Sequence, residues 1–265
     1  MDVTGILADL QAEQAALDHV VSALTAQQWA TPTPSPRWSV ADQIAHLAYF
    51  DRTAALAMSD PTGFAAARDA LFAAVGAGGE EAVDEITLGG YRAMSPAQLL
   101  EAWRADRGKL AVAAEGVALD ARVPWYGPEM SARSFLTARL MECWAHGQDV
   151  VDAVGASRPA SDRLHNIAQL GFITRGWSYS VRGETPPEGK VALELTAPSG
   201  VVWTWGADAA ADTVRGTALD FCLVVTQRRH LDDTALTCGE LGRHWLLRAQ
   251  VFAGGPTSGP DPRGK

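Results

Sequence analysis

The sequence PRWSVADQIAHLAYFD, residues 36–51, contains the start of a helix that carries a histidine. Ser39 is a typical N-cap residue, and Asp42 takes the third helical position, where a carboxylate interacts favourably with the helix dipole. The prolines that precede this start end the previous helix. We therefore predict a helix over about 40–58, with His46 in its first half.

Helical patterns on both sides of this segment indicate a bundle. Upstream, apolar residues recur at intervals of three and four positions, with polar Gln14 as the exception. Downstream, SPAQ at 95–98 combines a serine N-cap, a proline at the first helical position and a capping-box glutamine. The section that is Ala-rich over 64–75 and then Gly-rich gives no clear prediction. The predicted helices span about 7–24, 40–58, 96–115 and 132–154, and one more helical segment spans 162–179. Four principal antiparallel helices favour an up-down bundle.

The pattern changes from helical to alternating after a linker rich in glycine, proline and charge, residues 182–190. Two runs of β-branched and aromatic residues around PSG predict a hairpin, and DTVRG predicts a third strand. Two further helices are predicted, over 218–227 and 239–252. We therefore expect an α+β chain with a helical domain over 1–181, a small α/β domain over 190–254 and a disordered tail over 255–265.

Composition excludes several classes of function. The 265 residues include 31 acidic and 22 basic ones, a net charge of −9, which disfavours binding to nucleic acid or to an anionic membrane surface. Three cysteines (Cys143, Cys222 and Cys238) are too few for a disulfide framework. No secretory signal and no apolar run of membrane-spanning length is present in the sequence, so we expect a soluble, cytoplasmic protein.

Two histidines and a glutamate are the residues that suggest chemistry. Glu142 and His146, in LMECWAHGQD, lie four positions apart and therefore share one helix face. His46, on another helix, could supply a third ligand from across the bundle. Two histidines and one carboxylate match catalytic zinc sites and the facial triad of non-haem iron(II), and nickel is a further option. The alternative is that Glu142 and His146 form a solvated flank beside Arg139.

The segment ALTAQQWATPTPSPRWSVADQIAHLAYFD, residues 23–51, closely resembles the start of the mycothiol-dependent maleylpyruvate isomerase family, within the broader DinB-like metal-binding bundles. Arg37 departs from the family pattern, which usually has glycine before the tryptophan. The resemblance implies three metal ligands, His46, Glu142 and His146. The matching positions are Trp29, Thr33, Pro34, Trp38, Ser39, Val40, Asp42, His46 and Leu47, followed by Glu142 and His146.

The resemblance also implies a fold and cofactors. Residues 1–180 would form a DinB-like up-down four-helix bundle. WTWGADAAADTVRGTALDFCLVVTQRRH, residues 203–230, looks like the small α/β, sterol-carrier-like C-terminal domain of an actinobacterial subgroup. The implied cofactors are a divalent metal (zinc, with nickel or iron as alternatives) and mycothiol. The expected partner is a small-molecule substrate; we predict no nucleic-acid or membrane partner and no particular oligomeric state.

Three further residues are candidates for the site. Asp149 follows His146 by three positions, so it could orient a ligand or act as a catalytic base, although an exposed helix acid is an equal alternative. Arg228 and Arg229 could bind an anionic substrate or a carboxylate of the thiol cofactor, or could be a solvated helix end. Asp51 lies far around the helix from His46, which suggests a buried pairing with an arginine.

These residues and the resemblance together predict a divalent-metal-dependent enzyme, and the resemblance implies that it is a thiol transferase or isomerase. It would activate a mycothiol-type thiol, or water, for addition to or isomerisation of a small electrophile. Two alternatives stay open: a thiol-independent metal enzyme (a hydrolase, a lyase or cyclase of secondary metabolism, or a non-haem iron oxygenase), and a metal-binding module without turnover. No dinucleotide, Walker-type or nucleophile-elbow motif is present in the sequence.

Overall fold

Five long helices lie within the first of two units, in a computed structural model that describes residues 3–264. The division between the units falls between Arg158 and Pro159. In chain order the helices of the first unit are α1 (Val3–Ser22), the one-turn α2 (Ala26–Trp29), α3 (Val40–Ser59), α4 (Pro61–Arg92), α5 (Pro96–Ala114) and α6 (Ala132–Val154).

The predicted starts of α3 and α5 are confirmed by their caps. Ser39 and Asp42 form a reciprocal capping box, in which each side chain accepts a hydrogen bond from the backbone N–H of the other. Ser95 and Gln98 do the same at the start of α5, where Pro96 is the first helical residue. These local bonds satisfy backbone donors that a helix start would otherwise leave unpaired.

Helix α3 is the centre of the first unit. It packs against α4, α5 and α6, and α1 packs against α5 and α6. The shared core contains the fully buried Ile44, Leu47, Trp103 and Leu140. Because α3 and α6 are in contact, polar side chains on the face of α3 that packs on α6 can contact polar side chains of α6.

Helix α4 occupies the Ala- and Gly-rich section whose structure was uncertain from the sequence. It adds a long helix to the four that the bundle was predicted to contain. Its helical geometry is broken at Gly79, which has φ +63° and ψ −146°. Phe64 before the break and Leu88 after it are fully buried, so both parts of α4 contribute to the core.

The aromatic loop between α5 and α6 is closed by a two-residue ribbon. Strand β1 (Arg122–Val123) pairs antiparallel with β2 (Met130–Ser131). Inside this loop, the Trp125 ring stacks on Phe64 at 5.5 Å with an interplanar angle of 5°, and its edge meets Phe135 at 4.9 Å. The loop is therefore held against α4 and α6 by aromatic contacts.

The second unit is a three-stranded sheet with helices. Its elements are α7 (Leu164–Ile173), α8 (Arg175–Ser180), β3 (Lys190–Thr196), β4 (Val202–Trp205), β5 (Ala210–Thr217), α9 (Ala218–Val225) and α10 (Glu240–Leu246). The strand order is β4-β3-β5, with β3 antiparallel to β4, as the hairpin prediction requires, and parallel to β5. Helix α9 packs against β3 and β5, and α7 packs against α9.

Several boundaries differ from those predicted. Helices α7 and α8 were placed with the bundle, in a domain over 1–181, but they belong to the second unit because α7 packs on α9. The last helix is shorter than the predicted 239–252. Residues 255–264, predicted to be disordered, contain no helix or strand, yet the Thr257 hydroxyl donates to Gln227 Oε1 at 2.6 Å. Among residues 3–264, no helix is long and apolar enough to cross a membrane.

Candidate metal centre

His46 on α3 and Glu142 and His146 on α6 lie together in the first unit. One potential ligand atom from each lies within 4.8 Å of the other two. His46 Nε2 is 3.8 Å and His146 Nε2 is 3.1 Å from the same oxygen, Glu142 Oε2. The i, i+4 spacing on α6 and the contact between α3 and α6 produce this arrangement. The three side chains are thus neighbours, rather than a solvated flank of α6.

The protonation states of two of these residues suit metal binding. Burial, and after it the charge of the neighbouring His146, lower the pKa of His46 to about 3, although Glu142 acts in the opposite direction. Burial by itself would raise the pKa of Glu142, but hydrogen bonds and charge interactions with His146 and His46 outweigh it and hold this pKa well below the usual value. At neutral pH His46 is therefore a neutral imidazole and Glu142 a carboxylate, the forms that bind a metal ion.

The donor set fits a divalent ion. Two imidazole nitrogens and one carboxylate oxygen are the protein ligands of open zinc sites, where water or substrate completes the coordination. The same set serves non-haem iron(II), and imidazole nitrogen also suits nickel. The side chains therefore match a catalytic type of metal site and do not select one metal among these three.

Gln43, one turn before His46 on α3, contacts the back of His146. Its side chain is fully buried, and its Oε1 lies 2.6 Å from His146 Nδ1. The Gln43 amide Nε2 donates to the hydroxyls of Thr33 and Ser35. We did not predict this contact, since the only signal in the sequence is a polar residue one helical turn from a histidine.

Asp149 also lies behind His146 and is buried, with 4% of its surface exposed. Its Oδ2 is 3.8 Å from His146 Nδ1 and 3.5 Å from the Ser35 hydroxyl, which donates to it. The alternative of an exposed helix acid is therefore wrong. The carboxylate faces the imidazole nitrogen opposite to the one near Glu142, so its position suits orientation of the ring.

Aromatic rings flank the histidines. The Trp38 ring centroid is 5.0 Å from that of His46 and 6.0 Å from that of His146. Phe50 lies one turn after His46, with its centroid 4.5 Å from the imidazole, and it also contacts Tyr126 of the aromatic loop at 5.6 Å. These rings limit the access of water to the two imidazoles.

Asp51 forms the buried pair with an arginine that the sequence suggested. Its Oδ1 is 2.9 Å from Arg139 Nη2, and both side chains are at most 4% exposed. Trp103 and Gln14 donate to the other carboxylate oxygen of Asp51. This hydrogen bond explains why Gln14 is polar within the otherwise apolar pattern of α1. Cys143 is buried in the core, as its position on α6 indicated. These residues hold α1, α3, α5 and α6 together.

Arg228 and Arg229 belong to the second unit and follow α9. Each is half-buried and donates from Nη1 to a backbone carbonyl, that of Thr226 and that of Arg228, at 2.7 Å. These contacts with carbonyls at the end of α9 also agree with the alternative of a helix end. Their predicted role toward an anion stays a prediction.

Two histidines of the second unit, His165 and His244, are half-buried. His165 packs against Trp203 and Trp205 of β4, with centroids 4.9 and 5.2 Å apart. His244 Nδ1 lies 2.9 Å from the Tyr179 hydroxyl. In both cases the aromatic partner comes from another element of the unit.

Comparison with known proteins identifies the family. The family model described as the mycothiol maleylpyruvate isomerase N-terminal domain matches residues 10–151, more than half of the chain. The chain belongs to this family. The matched range contains all three predicted metal ligands and ends shortly after them.

Full-length relatives and solved structures extend the comparison beyond this family domain. Two uncharacterized proteins of Mycobacterium tuberculosis, from strains CDC 1551 / Oshkosh and ATCC 25618 / H37Rv, are each 46% identical to the chain over 254 residues, which cover 96% of this chain and 97% of theirs. The crystal structures of mycothiol-dependent maleylpyruvate isomerase and of one of its mutants match 90% of this chain and 93% of theirs, with a TM-score of 0.58 at 17% identity. At that identity the match shows the fold, which is α+β as predicted.

Proposed function

We propose that this protein is a divalent-metal-dependent enzyme. It activates a small thiol of the mycothiol type for addition to, or isomerisation of, a small electrophilic substrate. The observation that carries the proposal is the approach of His46, Glu142 and His146 to within 4.8 Å, with His46 neutral and Glu142 ionised. Membership of the mycothiol maleylpyruvate isomerase family supports the choice of thiol and of reaction.

The proposed ligands are the two imidazoles and the carboxylate, with zinc as the first candidate and nickel and iron as alternatives. When bound, such an ion supplies Lewis-acid chemistry: it lowers the pKa of a thiol or water and polarises a carbonyl group. The chain contributes three ligands, so positions on the ion stay open for thiol and substrate. Trp38 and Phe50 pack against the His46 ring, and by limiting water there they would strengthen the electrostatic interactions of the site.

Two supporting roles complete the proposal. Asp149, whose Oδ2 lies 3.8 Å from His146 Nδ1, would support that ring from behind with its negative charge, and it is the candidate base of the chemical step. Arg228 and Arg229 would bind a carboxylate of the thiol or of the substrate, since a guanidinium pairs well with a carboxylate. Both assignments rest on charge and local geometry.

Metal content tests the ligand set. Wild-type protein, purified without added metal, is expected to contain about one divalent ion per chain, and His46→Ala is expected to lose most of it because one of three ligands is gone. His19→Ala is the matched control, since His19 is an exposed histidine of the same unit, on α1. Equal metal content in wild type and His46→Ala contradicts the proposed centre.

Turnover tests the reaction class. Maleylpyruvate, the substrate in the name of the solved relatives, is the first probe, supplied with and without mycothiol. We expect consumption that needs both the metal and the thiol. Consumption without thiol, or bound iron with oxygen uptake, supports the thiol-independent alternatives. A bound metal with no reaction on a panel of electrophiles supports a binding module.

A further inference from the structure

The orientation of the Gln43 amide is determined by its neighbours. Its nitrogen lies 2.8 Å from Thr33 Oγ1 and 3.0 Å from Ser35 Oγ. Both hydroxyls already donate elsewhere: Thr33 to the Trp38 carbonyl at 2.9 Å, and Ser35 to Asp149. Each hydroxyl has one proton, so each can only accept from Gln43. The end of the amide that faces them is therefore the NH2 group.

This orientation directs the amide oxygen at His146. Gln43 Oε1 can only accept, and His146 Nδ1 lies 2.6 Å from it, so Nδ1 carries the proton and donates. A neutral imidazole has one N–H, which leaves a lone pair on Nε2. That lone pair faces Glu142 Oε2 at 3.1 Å. Nε2 is therefore the ring nitrogen left to bind a metal ion, on the side of the ring that faces Glu142.

We propose that Gln43 is a positioning residue that holds His146 as the Nδ1–H tautomer and so presents Nε2 to the metal ion. The Thr33 and Ser35 hydroxyls fix the Gln43 amide, and Ser35 connects it to Asp149. Gln43, at 2.6 Å, and not Asp149, at 3.8 Å, is the direct partner of Nδ1. This inference rests on the proposed metal centre but concerns a residue that touches neither the metal nor the substrate.

The tautomer can be measured by ¹⁵N NMR of the imidazole rings in metal-free protein at neutral pH. Gln43→Met keeps the length of the side chain and removes the acceptor. We expect His146 to be the Nδ1–H tautomer in wild type and to move toward the Nε2–H tautomer in Gln43→Met. The zinc dissociation constant, measured by competition with a chromophoric chelator, should rise by about 10- to 100-fold, the usual cost of losing an outer partner of a ligand.

Gln14→Met is the matched control. Gln14 is likewise a buried glutamine of the bundle, but its amide donates to Asp51, away from the histidines. It is expected to lower stability while leaving the His146 tautomer and the zinc affinity unchanged. If both variants change zinc affinity equally, or if Gln43→Met keeps the Nδ1–H tautomer, the positioning role is overturned.

A second variant keeps the test available if Gln43→Met does not fold. Thr33→Val with Ser35→Ala removes the two acceptors that orient the amide, so either end of Gln43 can face His146. We expect a mixture of tautomers and a smaller loss of zinc affinity; a pure Nδ1–H tautomer contradicts the inference. A wild-type protein that binds no metal refutes the proposed function, whereas the tautomer in metal-free protein still decides the role of Gln43.

Discussion

Asp18 shows how a single carboxylate can join two helices. On α1, it accepts hydrogen bonds from Arg104 at 2.9 and 2.7 Å and from Arg107 at 2.5 Å, both on α5. The hydrogen bond from Arg104 is the largest influence on the Asp18 pKa and, with the charge of Arg107, holds it below its usual 3.8 despite burial. The ionised carboxylate therefore stabilises the packing of α1 on α5.

We expect Asp18→Asn to lower the free energy of unfolding by about 1–2 kcal/mol at pH 7, since the two guanidiniums are partly solvated. The folded-state pKa is depressed, so the contribution of Asp18 is complete above the unfolded pKa and is lost as the pH falls through the folded pKa. The difference between wild type and variant should thus shrink below about pH 4. Urea unfolding at pH 7 and pH 3 measures it.

Asp69→Asn is the control for this prediction. Asp69 pairs with the adjacent Arg68 in an exposed position, so its replacement should change the free energy of unfolding by less than about 0.5 kcal/mol at either pH. An Asp18→Asn loss that is the same at both pH values would contradict the assigned role of the carboxylate charge.

At the scale of residues, the sequence predicts what short-range rules govern. The Ser39–Asp42 and Ser95–Gln98 caps are contacts over three positions, and Glu142 and His146 share a face because four residues make about one helical turn. The contact between Gln43 and His146 joins residues 103 positions apart. No local rule indicates it, because it depends on how α3 lies against α6.

Helix α4 shows how packing can override local preference at the scale of an element. The alanines of this section are not interspersed with polar residues at a helical spacing, so the section has no clear amphipathic period. Glycines such as Gly79 and Gly90 also disfavour a helix. The section is nevertheless helical on both sides of Gly79, with Phe64 and Leu88 buried in the core. Burial of these side chains outweighs the weak propensity of the chain around them.

The break at Gly79 leads to a prediction for α4. Its φ of +63° with ψ −146° lies in a region that only glycine occupies easily, so Gly79→Ala should lower the free energy of unfolding by about 1–3 kcal/mol. Gly90→Ala, later on the same helix, has ordinary helical geometry and open space around the added methyl group. It should raise stability by about 0.5–1 kcal/mol.

Thermal and urea unfolding of both variants give the comparison. A lower free energy of unfolding for Gly79→Ala together with a higher one for Gly90→Ala supports a fixed break at Gly79. If Gly79→Ala is also stabilising, α4 can run straight through this position, and the break is not needed for the packing of Phe64 and Leu88.

At the scale of the whole molecule, the position of the domain boundary can be tested with fragments. The predicted ligands and Gln43 lie in the first unit, so residues 1–158 should bind zinc within a few-fold of the full chain. A fragment over 1–181 would add α7, whose buried face, including Leu164 and Ile167, packs on α9 of the second unit. We expect it to associate or precipitate, as size-exclusion chromatography would show.

The opposite result would restore the boundary predicted from the sequence. If 1–181 is monomeric and binds zinc while 1–158 does not fold, α7 and α8 complete the bundle. In the sequence the pattern changes only after residue 181, because α7 and α8 are helical like the bundle. Helical periodicity does not reveal which sheet or helix an element packs on.

The packing of α1 against α6 has a consequence for the newly made chain. The first and last long helices of the unit are partners, and Glu142 follows His46 by 96 positions. At ribosomal speeds, roughly 5–20 s separate the synthesis of these two ligands. Until α6 has left the ribosome, the parts of α1 and α3 that pack on α6 stay uncovered, and the three proposed ligands cannot come together. Completion of the bundle is thus a late event in the life of each molecule, and the proposed function would couple capture of the ion to it.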